Sequence, residues 1–229
     1  MFSIVLPCYN EQDNLDFLFK EIQNFKSNNF QFILLNNGSS DNTGKRINNF
    51  KCNHDIIKIH LKENKGLGFG IKEGLKMATN PYIGYMHVHN FVSLNQLIIL
   101  EKIIVDNKNP YIFIKGLRYG KRPIKDLIFS YGLNFISSIF LFKKLWEITA
   151  QPTIFHRDLL RDKNKIPNDF KIDLYIYYIA ILSNFEILKI NFSFKKRTVG
   201  QSSWNRGLSS QLKICINYLI YLFKLLFTK

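Results

Sequence analysis

Three observations predict an α/β fold with a mostly parallel sheet and helices on both faces. Short apolar runs alternate with helical patterns along most of the chain. The first two runs end abruptly in turn-forming and polar residues: Ser3-Ile4-Val5-Leu6-Pro7-Cys8-Tyr9-Asn10-Glu11, then Phe32-Ile33-Leu34-Leu35-Asn36-Asn37-Gly38-Ser39-Ser40-Asp41-Asn42-Thr43. No internal repeat and no Pro/Ser-rich linker breaks the pattern. Buried parallel strands read as continuous apolar runs, and ligands of such sheets sit outside the strands' carboxyl ends.

The elements follow in order. Phe2–Leu6 reads as a strand, followed by a helical stripe of Leu15, Leu18, Phe19, Ile22 and Phe25 with acidic residues in its first turn. Phe30–Leu35 is a strand before a short helix near Thr43, and Ile56–Leu61 leads into Ile71, Leu75 and Ala78. Tyr82–His87 precedes an amphipathic helix through Leu94, Leu97, Ile98 and Ile104, and Tyr111–Ile114 opens another unit. Beyond Lys115 the rhythm weakens. Ile124–Phe142 reads as a long helix, Thr153–His156 as a strand, Ile172–Leu182 as a helix and Glu186–Phe194 as a strand. The expected organisation is one domain over residues 1–207 and a C-terminal amphipathic helix over 208–229.

With 46% apolar and 21% charged residues in 229, the composition is that of a globular protein and excludes wholesale disorder. The net charge of +15 admits nucleic acid, an anionic membrane surface, a phosphorylated substrate, or a solvated lysine-rich surface. Nucleic acid is set aside, because no recognised motif is present and the aromatics follow core periodicities. Cys8, Cys52 and Cys215 have no metal or disulfide spacing, which suits a reducing compartment. The N-terminus enters a strand with no basic leader, so no signal peptide is expected. Leu212–Phe227 is apolar but interrupted by Lys213, Asn217 and Lys224. Two readings stand for it: a basic helix lying in a membrane interface, or a helix docked on the core.

Lys65-Gly66-Leu67-Gly68-Phe69-Gly70 lacks the GxGxxG order and follows the third strand, so it is no dinucleotide fingerprint. It reads instead as a helix N-terminus whose free N–H groups, with Lys65, face a diphosphate. A GxxxxGK[ST] phosphate loop is absent, which leaves kinase or ATPase chemistry without support.

Taken together, these segments resemble the family 2 glycosyltransferases with a GT-A fold, particularly the dolichyl- and polyprenyl-phosphate sugar transferases. The resemblance runs through Val5–Glu11, Asn37–Thr43, Asn64–Gly68 with Gly74 and Ala78, Lys115–Arg118, Ala150–Phe155 and Arg197–Trp204. It implies transfer of a sugar from a nucleotide-diphosphate sugar to a polyprenyl phosphate or lipid-linked glycan, at the cytosolic face of a membrane. It also implies that Pro7, Tyr9, Glu11, Asn37, Ser39, Asp41, Lys65, Gly66 and Gly70 bind the nucleotide sugar. Lys115, Arg122, Gln151, Ser202, Ser203 and Trp204 are placed on the acceptor and phosphates, with Arg118 and Arg197 beside the reacting groups.

Three departures from the family pattern carry consequences. Asn37 replaces an acid that normally meets the base; an amide both donates and accepts, which suits uracil and slightly favours UDP over GDP. Asn37 also reads as a turn residue ahead of Gly38. His87 and His89 replace the Asp-x-Asp that binds Mg²⁺ or Mn²⁺. One site two residues apart on a strand admits a histidine-held divalent cation, direct binding of diphosphate, or a catalytically impaired domain that binds without transfer. Glu147 stands where relatives carry Asp, and reads as a general base or as a structural carboxylate.

Overall fold

The computed structural model describes residues 1–88, 93–119, 124–193 and 208–227. Strands β1 (Phe2–Cys8) and β2 (Phe30–Asn37) are buried along their whole length. They pair in parallel, from Phe2 opposite Phe30 to Cys8 opposite Asn36. β3 (Asp55–Leu61) adds to β2 and β4 (Tyr82–Tyr85) to β1, both in parallel. β5 (Ile112–Tyr119) and β7 (Glu186–Ser193) form a second parallel pair, and β6 (Thr153–His156) runs antiparallel between β4 and β5. The order is β3-β2-β1-β4-β6-β5-β7. The chain therefore reverses its direction of winding between β1 and β4, and a ligand crevice belongs outside the carboxyl ends at such a point.

Side chains alternate across each strand, so the two faces are read separately. On one face Phe2, Ile4, Leu6, Phe30 and Phe32 pack with Leu15, Leu18 and Ile22 of α1 (Leu15–Gln23), Ile47 of α2 (Thr43–Asn49) and Leu100 of α4 (Ile99–Asp106). On the other face, α3 (Leu67–Met77) lies so close that a Cβ on Gly74 would stand 2.4 Å from Val5 Cγ1. α6 (Ile172–Leu182) covers the far half, with Tyr177 stacked on Phe113 at 5.3 Å. Each fully buried Ile, Leu or Phe contributes about 1.5–3 kcal/mol. Aromatic packing adds directional contacts, such as Phe2 stacked on Phe30 at 4.6 Å with Phe25 edge-on to Phe30 at 5.0 Å.

Several element boundaries differ from the sequence reading: β4 ends at Tyr85, so His87 follows the strand instead of lying on it. Leu94–Ile98 forms a 3-10 turn before α4 instead of its first α-helical turn. β5 continues through Lys115, Gly116, Leu117 and Arg118 because β7 pairs with it as far as Ser193. Gly116 permits this: a Cβ there would stand 2.5 Å from the Gln151 carbonyl oxygen.

The division of the chain also differs from the expected break after residue 207. One unit comprises Met1–Gly120 and Ala150–Lys196; the other comprises Lys121–Thr149 and Arg197–Lys229. The second contains α5 (Ile124–Leu141) and α7 (Leu208–Leu226), which pack on each other with Phe140 edge-on to Phe223 at 5.0 Å. The long helix thus groups with the C-terminal helix and not with the sheet. No described helix is long and apolar enough to cross a membrane.

Candidate functional site

The carboxyl ends of β1 and β2 are bound to each other. β1 loses β4 as a partner after Val5, whose carbonyl accepts the Met86 N–H at 3.1 Å. Val5 and Pro7 direct their main-chain groups to the same side, so the missing N–H of Pro7 removes no ladder bond. Pro7 is buried, and Tyr9 is 48% exposed at the edge. Asn10, at φ 52°, donates its N–H to Ser39 Oγ at 3.1 Å and accepts the Ser40 N–H on its side-chain oxygen at 2.9 Å. The Glu11 N–H bonds Thr43 Oγ1 at 2.9 Å, while its buried carboxylate accepts from the Asn14 amide.

Asp41 accepts N–H bonds from Gln12 at 3.2 Å and Thr43 at 2.9 Å. Burial pushes its pKa up, but the Thr43 and Gln12 hydrogen bonds outweigh this and hold it below the usual value. Ser39 and Asp41, expected on the nucleotide sugar, thus brace one loop against the other. Burial and the negative charges of Glu11 and Asp41 push the Cys8 thiol far above the ordinary range, so it is no nucleophile.

Asn37 is not a turn residue: it ends β2, and the left-handed position falls on Gly38 at φ +70°. Its Nδ2 donates to the Gly66 carbonyl at 3.3 Å, and its buried Oδ1 has no hydrogen-bond partner. That bond engages one of the two N–H donors of the amide and leaves its oxygen as an acceptor.

The glycines after β3 are explained by packing. A Cβ on Gly70 would stand 2.7 Å from Asn37 Oδ1, one on Gly66 2.3 Å from the Asn168 carbonyl oxygen, and one on Gly68 2.1 Å from that of Pro167. The Phe69 N–H, expected to be free for a diphosphate, donates to the Asn168 carbonyl at 2.9 Å. Lys72 secures the same segment through Asn168 Oδ1 at 2.7 Å. Lys65 is exposed and paired with Glu63 at 2.8 Å, a hydrogen bond and opposite charge that raise its pKa.

Beside the winding reversal, His87 follows β4 and Gln151 precedes β6. Gln151 is buried, and its Nε2 lies 3.2 Å from His87 Nε2, so two residues predicted on separate grounds meet. Arg118 lies half-buried near the carboxyl end of β5. Lys115 does not join them. It is fully buried, donates to Thr153 Oγ1 at 2.7 Å and lies 3.6 Å from Asp173 Oδ1, so its expected contact with acceptor or phosphate fails. Tyr85 donates to the same carboxylate oxygen at 2.7 Å. Burial, then the charge of Asp173, pushes the Tyr85 pKa upward. Sequence reasoning missed Asp173; its signal was a single carboxylate in the first turn of the otherwise apolar α6.

Glu147 lies in the second unit, buried and left-handed at φ 53°, next to the Ile148 N–H that bonds Asn134 Oδ1 at 3.2 Å. A non-glycine residue held there costs about 1–3 kcal/mol, a strain found most often at functional positions. His89, Arg122, Arg197, Ser202, Ser203 and Trp204 lie outside the described residues. Among the described residues no group of three His, Cys, Asp or Glu gathers as a metal centre. The described part of the site does not by itself fit the divalent cation that the resemblance implies.

A family model described as "Glycosyl transferase family 2" matches residues 3–162. Poly-beta-1,6-N-acetyl-D-glucosamine synthase of Staphylococcus aureus is 29% identical over 120 residues, 52% of this chain and 26% of the relative. The Staphylococcus epidermidis synthase is 35% identical over 81 residues, 35% of this chain and 20% of the relative. The chain thus spans about a quarter of the length of the curated relatives it matches. Glucosyl-3-phosphoglycerate synthase from Mycobacterium tuberculosis, solved with Mn²⁺, UDP and glucosyl-3-phosphoglycerate, superposes with TM-score 0.69 at 15% identity, over 97% of this chain and 79% of that one. Staphylococcus aureus TarS with UDP-GlcNAc gives TM-score 0.62 at 17% identity, over 90% of this chain and 61% of that one. A mannosyltransferase from Pyrobaculum calidifontis with GDP-Man and Mn²⁺ gives 0.65 at 14% identity, over 100% and 64%. These structural neighbours share the GT-A fold.

Proposed function

This chain belongs to glycosyl transferase family 2, and from that premise we propose that it transfers a sugar from a nucleotide-diphosphate sugar to a polyprenyl phosphate or lipid-linked glycan. The observation that carries the reading is the meeting of His87 and Gln151 beside the β1/β4 reversal. Tyr9 and Arg118 lie on the same carboxyl edge.

Departure of a nucleoside diphosphate places negative charge on the leaving phosphate. The Arg118 guanidinium supplies positive charge and donors there, with the His87 imidazole as a further polar group, the form of stabilisation that lowers such barriers most. Gln151 fixes the imidazole against β6. A polyprenyl phosphate is already ionised near neutral pH, so attack on the anomeric carbon needs positioning more than a base. If the acceptor is a sugar hydroxyl, Glu147 is the base candidate.

UDP-linked sugars are the first donors to test, because solved neighbours hold UDP and UDP-GlcNAc. A divalent cation, which accompanies the donor in neighbours, would supply charge neutralisation at the diphosphate. The place of reaction is the cytosolic face of a membrane, with residues 208–229 aiding attachment.

Radiolabelled transfer from UDP- and GDP-sugars to polyprenyl phosphate tests the reading. Transfer that is lost in His87→Ala while nucleotide binding persists is the expected result. Nucleotide binding without transfer or donor hydrolysis by wild type would replace it with the second reading, an impaired domain. Withdrawal of Lys115 into a buried ion pair is the observation in that reading's favour.

A further inference from the structure

α5 is amphipathic the wrong way round for a helix facing water. Its buried face is polar: Ser130, Asn134 and Ser137 are 6%, 2% and 0% exposed. This face holds the returning chain, through Asn134 Oδ1 to the Ile148 N–H at 3.2 Å. One turn round, Ser138 Oγ accepts the Leu145 N–H at 3.0 Å. Its outward face is apolar: Ile124 75%, Ile128 67%, Tyr131 44%, Phe135 68%, Ile139 53%, and Phe142 85% just past its end. Their spacing of four, three, four, four and three residues is a continuous stripe along one side of a helix. Trp146 extends the stripe, 43% exposed and stacked on Tyr131 at 5.2 Å. α7 has a parallel character, with Ile216, Ile220 and Phe227 exposed and Tyr218, Leu222 and Leu225 buried.

Monomers in water do not keep an apolar stripe of this length uncovered. Charge identifies the cover. The unit holding α5 and α7 is about a quarter of the chain, yet carries ten Lys or Arg against two acids, more than half of the net +15. Lys143 and Lys144 stand exposed where the stripe ends. Apolar and aromatic side chains edged by lysine are what an anionic bilayer surface takes up, and no described helix is suited to crossing it.

We infer that α5 lies in the interface of an anionic membrane, its Ile124–Phe142 stripe in the acyl boundary and Lys143 and Lys144 among the headgroups. This extends the attachment proposed for residues 208–229, and is independent of which donor or acceptor is used.

Flotation of the full chain with vesicles of phosphatidylglycerol and phosphatidylcholine in equal parts tests it. Wild type floats with these vesicles, and much less with phosphatidylcholine alone or in high salt. Phe135→Glu/Ile139→Glu, at exposed positions that leave the fold and its melting unchanged, weakens binding at least about tenfold. In a Trp204→Phe background, where Trp146 is the remaining tryptophan, emission shifts to the blue on adding vesicles, and it does not once Phe135→Glu/Ile139→Glu is added. Ile216→Glu/Ile220→Glu separates the two helices: if it abolishes flotation while the α5 variant floats as wild type does, the inference about α5 fails and the attachment by residues 208–229 stands. If wild type does not float, and sedimentation shows a dimer that the α5 variant dissociates, a second copy covers the stripe and the inference is overturned.

Discussion

Replacing Lys115 by Met separates a ligand-binding lysine from the buried structural lysine seen here. The Lys115 ammonium is completely buried, 2.7 Å from Thr153 Oγ1 and 3.6 Å from Asp173 Oδ1, which also accepts from Tyr85 OH at 2.7 Å. Methionine fills a similar volume, so the cavity contribution is small and the loss is electrostatic. The variant leaves the Asp173 carboxylate 3% exposed with its countercharge gone. Removing one partner of a buried pair costs about 3–5 kcal/mol. For a chain of 229 residues, each kcal/mol moves Tm by about 2–4 °C, so Tm falls by about 6–20 °C. The double variant Lys115→Met/Asp173→Asn removes both charges while keeping an oxygen for Tyr85 OH, and it recovers more than half of that loss. Urea and thermal denaturation of the three variants beside wild type measure this. A loss below about 1 kcal/mol for Lys115→Met, the size of an exposed ion pair, would refute the reasoning. So would single-variant losses that simply add in the double variant.

Gly68→Ala forces a Cβ to 2.1 Å from the Pro167 carbonyl oxygen, and denaturation will register a loss of about 1–3 kcal/mol or more, since backbone must move. Asp41 has a folded pKa held below its free value, so its charge stabilises the fold above that value and the effect fades as pH falls through the lowered pKa. The stability gap between wild type and Asp41→Asn, followed by urea midpoints, therefore narrows below about pH 4. Thiol labelling of the native protein modifies the exposed Cys215 and spares the buried Cys8, which reacts only on unfolding. His87→Ala lowers sugar transfer by about 10²-fold with little change in melting, the scale of one lost charge-stabilising group.

Periodicity made the sheet legible. β6 and α6 fall on the residues their patterns indicate, because a buried strand and a buried helix have little freedom of composition. The extension of β5 was hidden. Lys115 and Arg118 look like solvent residues, and nothing local says that one is buried against an aspartate 58 residues later. The loop ends were legible as polar turns but not in their use: Ser39 and Asp41 have the chemistry of ligands, and they hydrogen-bond the neighbouring loop.

By itself, the sequence determined the α/β frame, the parallel sheet and the edge where its ligand belongs, because these follow from local patterns repeated along the chain. Tertiary structure alone decided which polar residues face that edge and which are consumed inside. It withdrew Lys115, turned the Gly66–Gly70 turn toward the backbone of residues 167–169, and brought His87 to Gln151. It also exposed the apolar side of α5, whose sequence is hydrophobic enough to be read as core. The physical reason is the same in each case. A side chain's chemistry is written in the sequence, but whether water, a ligand or another side chain satisfies it depends on partners distant along the chain.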